Sequence, residues 1–459
     1  MDYTRRLAEF CANLSFMDLP PEVVDKTKLC ILDYVANVYG SLRLSAVQKV
    51  GDYIRSLGST GEASVFGRGF KTACPMAAFA NGTAAEAIEG QDGLRFGGNH
   101  PGTAVISAAF AVGEKQTVSG RQFIEAVVAG YEAANRPAAA MHPWHTLSGF
   151  LPTGTCGTFG AAVAAAKLAG VDPNGMLNTL GNAGYVLPIS MAEHLMGGHT
   201  IKIVQAGQAA QAGIMAADLA TAGLTGCPKV LEGSELNGGF IQITSRGEPK
   251  PERLTERLGQ NWSILDVYFK PYTACRHTHG AAQAVLELVN ESGVEAGQVA
   301  HIDVHTYGIA QLAVGKAVDD KSSFVSAQFS IPYVVAACLL DKTMGPEQLS
   351  ENRLRDPKLL EITKNIRVHT DEALNQAYPD KTATRVEVTL ADNTVLKRQV
   401  DIPKGDPRNP MTETDIARKT RHFGEQRDQQ TIDRVIDQIL HFESISDIRE
   451  LTAFLQVSE

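Results

Sequence analysis

The chain lacks several kinds of residue and motif whose absence is informative. It has no basic excess: 42 Lys and Arg face 51 Asp and Glu, for a net charge of −9. A general nucleic-acid partner needs a basic surface, so none is expected. It has no run of 18 apolar residues, so no transmembrane helix and no membrane partner is expected. Its first residues, MDYTRRLAEFCANLSFMDLPPE, contain no continuous apolar stretch, which argues against a signal peptide. Seven cysteines are scattered without a CxxC pair, and this points to reduced, buried thiols in a cytoplasmic protein. No Walker A sequence, HExxH, GxSxG elbow or strand-borne GxGxxG occurs. The three clustered cysteines that an iron–sulfur centre would need are also missing. Two histidine pairs, His142/His145 and His277/His279, have ligand-like spacing but no third ligand nearby. No metal and no cofactor is therefore expected.

What remains is ordinary globular composition, 44% hydrophobic and 20% charged over 459 residues. Two large units fit that length. The first 265 residues read as helix after helix. Val24, Ile31, Tyr34, Val35 and Val38 recur at helical spacing behind Pro20 and Pro21. Later runs, such as GTFGAAVAAAKLAGV, carry small residues on several faces and suit the centre of a multi-helix bundle. Near residue 266 the pattern changes. HIDVHTYG alternates like a strand, and RVEVTLADNTVLKRQV reads as a hairpin turning at Asp392 and Asn393. Helical stretches GAAQAVLELVNES and IPYVVAACLLD lie between them, and helix returns after DIPKGDPRNPMT. The fold class expected is mainly α, with an all-helical part over 1–265 and 405–459 and an α+β part over 266–404.

Polar residues concentrate in four segments among glycines and small side chains. ANGTAAEAIEGQDGLRFGGNHPGTAV offers Glu89, Asp92, Arg95 and His100, a carboxylate and imidazole set suited to proton transfer. MHPWHTLSGFLPTGTCG carries His142, His145 and Thr153. Lys202 stands between a glycine pair and a helix of small residues. In FKPYTACRHTHGAAQAV, Lys270, Arg276, His277 and His279 crowd the start of a helix. Cations there call for an anion such as a substrate carboxylate, because a helix N-terminus itself favours negative charge.

Taken together these segments resemble the MmgE/PrpD family. The matching runs are FANGTAAEAIEGQD, HPGTAVISAAFAVGE, VAGYEAANR, PTGTCGTFGAAVAAAKLAG, IKIVQAGQAAQAGIMAADLATAGLTG, KPYTACRHTHGAAQAV, FSIPYVVAACLL and PKGDPRNPMT, in the family's order. The resemblance implies a helical domain built from both chain ends, an inserted α+β lid, a homodimer, and a site between the two domains. It implies catalytic roles for Asp92, His100, Lys202, Tyr333 and His279. It implies substrate contacts from Glu89, Arg95, His145, Lys270, Arg276 and Cys275. Four positions depart from the family pattern. Glu89 stands at a usual aspartate, Gly93 at a usual threonine, and Leu151 at a frequent histidine. Cys275 stands where the family's decarboxylases carry histidine. His145 is a candidate replacement for the imidazole missing at Leu151.

The chemistry implied is cofactor-independent proton removal next to a carboxylate of a small di- or tricarboxylate. Lys202, Lys270 and Arg276 would hold carboxylates and the developing negative charge. His100 and Asp92 would act as the base and its orienter, and Tyr333 or His279 as the acid. Loss of a β-hydroxyl would make a 2-methylcitrate dehydratase-like hydro-lyase, the expected outcome. Reprotonation on the opposite face would make an iminodisuccinate-type epimerase. A cis-aconitate-type decarboxylase and a non-catalytic binding protein rank behind these.

Overall fold

A computed structural model describes residues 2–457. Among these residues there are 22 α-helices and eight short strands, so the protein is mainly α. No helix among them is long and apolar enough to cross a membrane.

Five helices form the centre: Cys74–Ala87, Pro101–Gln116, Gly120–Met141, Pro152–Leu168 and Val204–Thr221. Pro152–Leu168 is buried on every side from Pro152 to Ala166. Small side chains are what permit this. A Cβ added to Gly82 would lie 2.9 Å from the Cα of Gly207, so Cys74–Ala87 and Val204–Thr221 touch backbone to backbone at this point. Such closeness suits Gly and Ala, since larger side chains would wedge the axes apart.

The helix Pro21–Ser41 begins with proline at its first position and buries Val24, Ile31, Tyr34, Val35 and Val38. Helices Glu413–Phe423 and Gln429–Leu440 return to pack against it. The first 265 residues are not wholly helical, however. Ala63–Val65 and Phe70–Thr72 form a hairpin whose turn uses Gly67 and Gly69, both at positive φ. Gly93–Leu94 pairs antiparallel with Val267–Tyr268, which joins the helical part to the segment after it.

The four-stranded sheet lies within residues 266–404. Its order is Ile366–Thr370, Val299–Thr306, Thr384–Leu390, Val395–Val400. The first pair is parallel and the others antiparallel. Thr384–Leu390 and Val395–Val400 are the expected hairpin, with Asn393 at φ 68° in the turn. One sheet face buries Ile302, Val304, Val386 and Val388. Helix His279–Ser292 packs on the sheet, and Ile331–Asp341 packs on that helix and on Ile366–Thr370.

Candidate active site

The end of Cys74–Ala87 and the loop after it build one wall of a buried charge cluster. Glu86 sits in the last turn of that helix, and Glu89 follows at φ 54°. Lys202 is on the short Thr200–Ile203 turn that leads into Val204–Thr221. Its Nζ lies 2.7 Å from Glu86 Oε1 and 2.5 Å from Glu89 Oε2. Lys270, fully buried just after Val267–Tyr268, donates to the other oxygen of Glu89 at 2.7 Å. Gln205 and Gln91 donate to Glu86 at 2.6 and 3.1 Å. Two ammonium groups thus face two carboxylates with almost no water. Burial alone would raise the Glu89 carboxyl. The charges of Lys202, Lys270 and His100 outweigh it and hold the group well below the usual carboxylate range. Burial opposes the charge of Lys202, but Glu86 and Glu89 raise its pKa above the ordinary lysine value.

His100 precedes Pro101, the first residue of Pro101–Gln116. Its Nδ1 lies 2.6 Å from the backbone carbonyl of Asp92. A carbonyl only accepts, so Nδ1 carries the proton. Nε2 is left with its lone pair, 3.7 Å from Glu89 Oε1. Burial first, then repulsion from Lys270, pulls the imidazole down to about 4, so it is neutral at pH 7. The carboxyl group of Asp92 is engaged elsewhere. It accepts from the Tyr131 hydroxyl at 2.6 Å and from the Gly102 N–H at 3.2 Å. Burial, reinforced by Asp33, lifts it to about 7. The expected orienter is therefore the carbonyl of Asp92, not its carboxylate.

The opposite wall is Lys270–His279. The Arg276 guanidinium donates to the carbonyls of Lys404 and Pro403 at 2.7 and 2.8 Å and lies over the Tyr268 ring at 5.0 Å. Among the described residues it has no carboxylate within ion-pair distance. His279 donates from Nε2 to the Ala274 carbonyl at 3.0 Å and turns Nδ1 toward Arg276 at 3.4 Å. Both of its nitrogens are thus occupied. Burial and the charges of Arg276 and Lys270 keep it neutral. His277 pairs with the Tyr307 hydroxyl at 2.7 Å, and burial pulls it down to about 4. Among the described residues no group of three or more His, Cys, Asp or Glu is arranged to hold a metal ion.

The MmgE/PrpD N-terminal domain matches residues 5–252, and the MmgE/PrpD C-terminal domain matches 272–441. The chain belongs to the MmgE/PrpD family. It is 27% identical to a cis-aconitate decarboxylase of Aspergillus terreus, over 98% of this chain and 95% of that protein. It is 26% identical to the cis-aconitate decarboxylase-like protein oryM of Aspergillus oryzae, over 98% and 97%. It is 24% identical to the cis-aconitate decarboxylase of Homo sapiens, over 99% and 94%. These names carry the activity that the sequence reading had ranked behind dehydration and epimerisation.

Of the residues expected from the MmgE/PrpD resemblance, the structure brings Glu89, His100, Lys202 and Lys270 together, with Asp92 behind them. Cys275 lies within reach of the charges of Glu89, Lys270 and Lys202. Burial, then Glu89, pushes its thiol up to about 11, so it stays protonated. Gly93 departs from the family's threonine for a visible reason. A Cβ there would meet the Tyr268 hydroxyl at 2.5 Å and His100 Nδ1 at 2.9 Å.

Three expectations need correction. The Tyr333 hydroxyl is buried and donates to the Gln348 carbonyl at 2.5 Å, so it has no proton free for a substrate. His145 does not replace an imidazole at Leu151. Its Nε2 meets the Thr155 hydroxyl at 2.7 Å, its Nδ1 meets Thr244 at 3.1 Å, and its ring stacks on Phe150. Arg95 stacks on Phe96 and approaches Asp406 at 3.8 Å. It lines a cavity of about 520 Å³ with Arg253, Asp380 and Arg408, and Glu89, His100, Lys202 and Lys270 are not in that lining.

Sequence reasoning missed Glu86, Gln205, Asp33 and Lys419. Glu86 carried a usable signal, as an acid in a helix otherwise made of small and apolar residues. Asp33 was a second, as an acid inside the apolar Pro21–Ser41 stretch. Lys419 gave none.

Proposed function

We propose that this MmgE/PrpD protein is a cofactor-independent lyase of a small di- or tricarboxylate, which begins by removing a proton from a carbon next to a carboxylate. The observation that carries the reading is the unprotonated Nε2 of His100, 3.7 Å from the Glu89 carboxylate that bridges Lys202 and Lys270. A neutral imidazole is a competent base at pH 7. Two buried ammonium groups stabilise the enolate-like charge that follows. A substrate carboxylate competes with Glu89 for those ammonium groups. Arg276 has its Nε–H and one Nη2–H left beyond the Lys404, Pro403 and His279 bonds, and this edge can meet a second carboxylate. With one N–H on Glu89, Lys270 has donors left for the enolate oxygen or a departing hydroxyl. Tyr333 and His279, bonded to the Gln348 and Ala274 carbonyls, are less suited to be the acid than Lys270.

Elimination of a β-hydroxyl fits a site built around a base. Decarboxylation is the second reading, supported by the names of the relatives; in it carbon dioxide leaves and the electron pair left behind takes up a proton, so no proton is first removed by a base. In either case residues 266–404 act as a lid, because Lys270, Cys275 and Arg276 come from it while Glu89, His100 and Lys202 come from the helical part. The exposed apolar side chains Tyr185, Ile189, Met191, Met196 and Ile201 are read as the contact surface of a homodimer.

Proton NMR in D2O tests the reaction, with chelator-treated enzyme and 2-methylcitrate, citrate, cis-aconitate and iminodisuccinate. Deuterium at a carbon next to a carboxylate, together with an alkene product, supports the dehydratase. Itaconate with carbon dioxide identifies the decarboxylase, and loss of chirality alone the epimerase. No exchange and no product with any of the four acids defeats the proposal.

A further inference from the structure

The loop that carries Glu89 and the Asp92 carbonyl is pinned at three places. At its start the Ala87 carbonyl accepts from Gln328 Nε2 at 2.8 Å. At its end the Asp92 carboxyl is held by Tyr131 and Gly102. Its middle is held from 329 residues away. The Lys419 ammonium, on helix Glu413–Phe423, donates to the Gly90 carbonyl at 2.6 Å. The same ammonium lies 2.6 Å from Asp33 Oδ1 on Pro21–Ser41 and 5.1 Å from the Phe423 ring centre. Asp33 is shared with Asn37 Nδ2, which donates to its other oxygen at 3.1 Å. Lys419 and Asp33 are only 3% and 1% exposed, so both charges have been taken fully out of water. That is costly, and well-packed apolar residues would often serve stability as well or better. An ion pair kept at such a place invites a reading beyond stability.

We infer that Lys419 is a positioning residue: through the Gly90 carbonyl it fixes the loop so that the Asp92 carbonyl meets His100 Nδ1 and leaves Nε2 free. The geometry runs in a short line. Lys419 holds Gly90, two residues on Asp92 presents its carbonyl, and that carbonyl decides which imidazole nitrogen is protonated. Glu89, immediately before Gly90, bridges Lys202 and Lys270 from the same loop. A lysine has three donors, and this one spends them on the acid that anchors it, the carbonyl it holds, and an aromatic face. The returning C-terminal helices thereby take part in the site without any of their atoms touching it.

The test uses the full-length protein with ¹⁵N-labelled histidine, the His100 signal being assigned by its loss in His100→Gln. Three variants are compared: Lys419→Met, Asp33→Asn, and the double variant Asp33→Asn/Lys419→Met. The wild type is expected to show Nδ1 protonated. Lys419→Met should shift the ring toward protonation at Nε2, the form a free imidazole prefers. It should also lower kcat roughly 10- to 100-fold with KM changed less than about 3-fold, as for a sub-ångström to ångström misplacement. Asp33→Asn disturbs the same buried pair but keeps the bond to Gly90, so its His100 signature should stay that of the wild type. The double variant leaves no charge unpaired and covers the case in which Lys419→Met does not fold. Two outcomes overturn the inference: Asp33→Asn shifting His100 as far as Lys419→Met, or a folded double variant with His100 and kcat unchanged. The kinetic arm rests on His100 as the base of the proposed lyase. The ring-nitrogen arm does not, so an enzyme inactive on every acid would defeat the proposed function and leave this inference to be judged by NMR.

Discussion

The two walls of the site both carry neutral histidines, and they use them in opposite ways. On the wall built by Glu86–Pro101, His100 gives its Nδ1 proton to a carbonyl and keeps Nε2 unengaged by any donor. On the wall built by Lys270–His279, His279 spends both nitrogens, one on Ala274 and one on Arg276. One ring is left able to take a proton, and the other steadies a cation. The residue type and the neutral state are shared, so the backbone partner decides the role. The lysines follow the same division. Lys202 is shared between two carboxylates, whereas Lys270 engages one.

The largest test removes the charge on which both walls depend. Lys202→Ala leaves Glu86 and Glu89 buried without their shared partner. It should cost about 3–5 kcal/mol of stability, as for removal of one member of a buried ion pair. Turnover should fall by roughly 10²–10³-fold or more with the loss of charge stabilisation. Thermal melts and single-turnover rates check this, and near wild-type turnover would remove Lys202 from the mechanism.

The histidines themselves come next. His100→Gln should lower kcat by about 10²–10⁴-fold, the usual worth of a general base. His279→Gln should change kcat by less than about 10-fold and act mainly on KM, through Arg276. Equal losses of kcat in the two variants would erase the distinction between the walls.

The pH dependence is a finer test. The base works when neutral, so kcat/KM should be level around neutrality and fall only as pH drops toward about 4, the value to which burial pulls His100. A limb near 6.5 would mark an unperturbed imidazole instead. Stability should shift in the same window. His100, His145 and His277 are each pulled to about 4, so between about 6.5 and 4 the unfolded chain binds protons that the folded chain does not. Stability is therefore lost as pH falls through that range. Asp92, raised to about 7, has the opposite sign and loses stability as pH rises from about 4 to 7. His142 and His279 are shifted the same way as these histidines, and Asp33, Asp218 and Asp266 the same way as Asp92, so five groups against four should leave the urea midpoint falling with acidification. A midpoint that rises would show that the histidines are not buried neutral.

The smallest effect is expected outside both walls. Tyr333→Phe removes a donor from the Gln348 carbonyl, at a cost of about 1 kcal/mol. Kinetics should be unchanged, and a loss of kcat would return Tyr333 to the chemistry.

Much of this arrangement was legible in the residues. The proline-opened helix, the hairpin at Asp392 and Asn393, and the polar segments around Glu89, His100, Lys202 and Lys270 follow from local rules of period, turn chemistry and unusual charge. What local rules do not carry is direction. Tyr333 and His145 were recognised as notable side chains, yet each is aimed at a carbonyl or hydroxyl that only tertiary packing supplies. Lys419 was invisible because its partners, Asp33 and Gly90, lie 386 and 329 residues away. The short hairpin at Ala63–Thr72 was missed because three-residue strands are too brief to show a period.

The contact between Gly82 and Gly207 has a consequence for mutational tolerance. Gly82 stands one helical turn before Glu86, and Gly207 two residues after Gln205. The spacing of the two helices, and hence the reach of Glu86 to Lys202 and Gln205, is gauged by the absence of two methyl groups. Alanine at either glycine would be conservative by every chemical measure, yet it would act on the charges like a substitution in the site itself. Substitution is therefore restrained at Gly82 and Gly207, although neither has a side chain to offer.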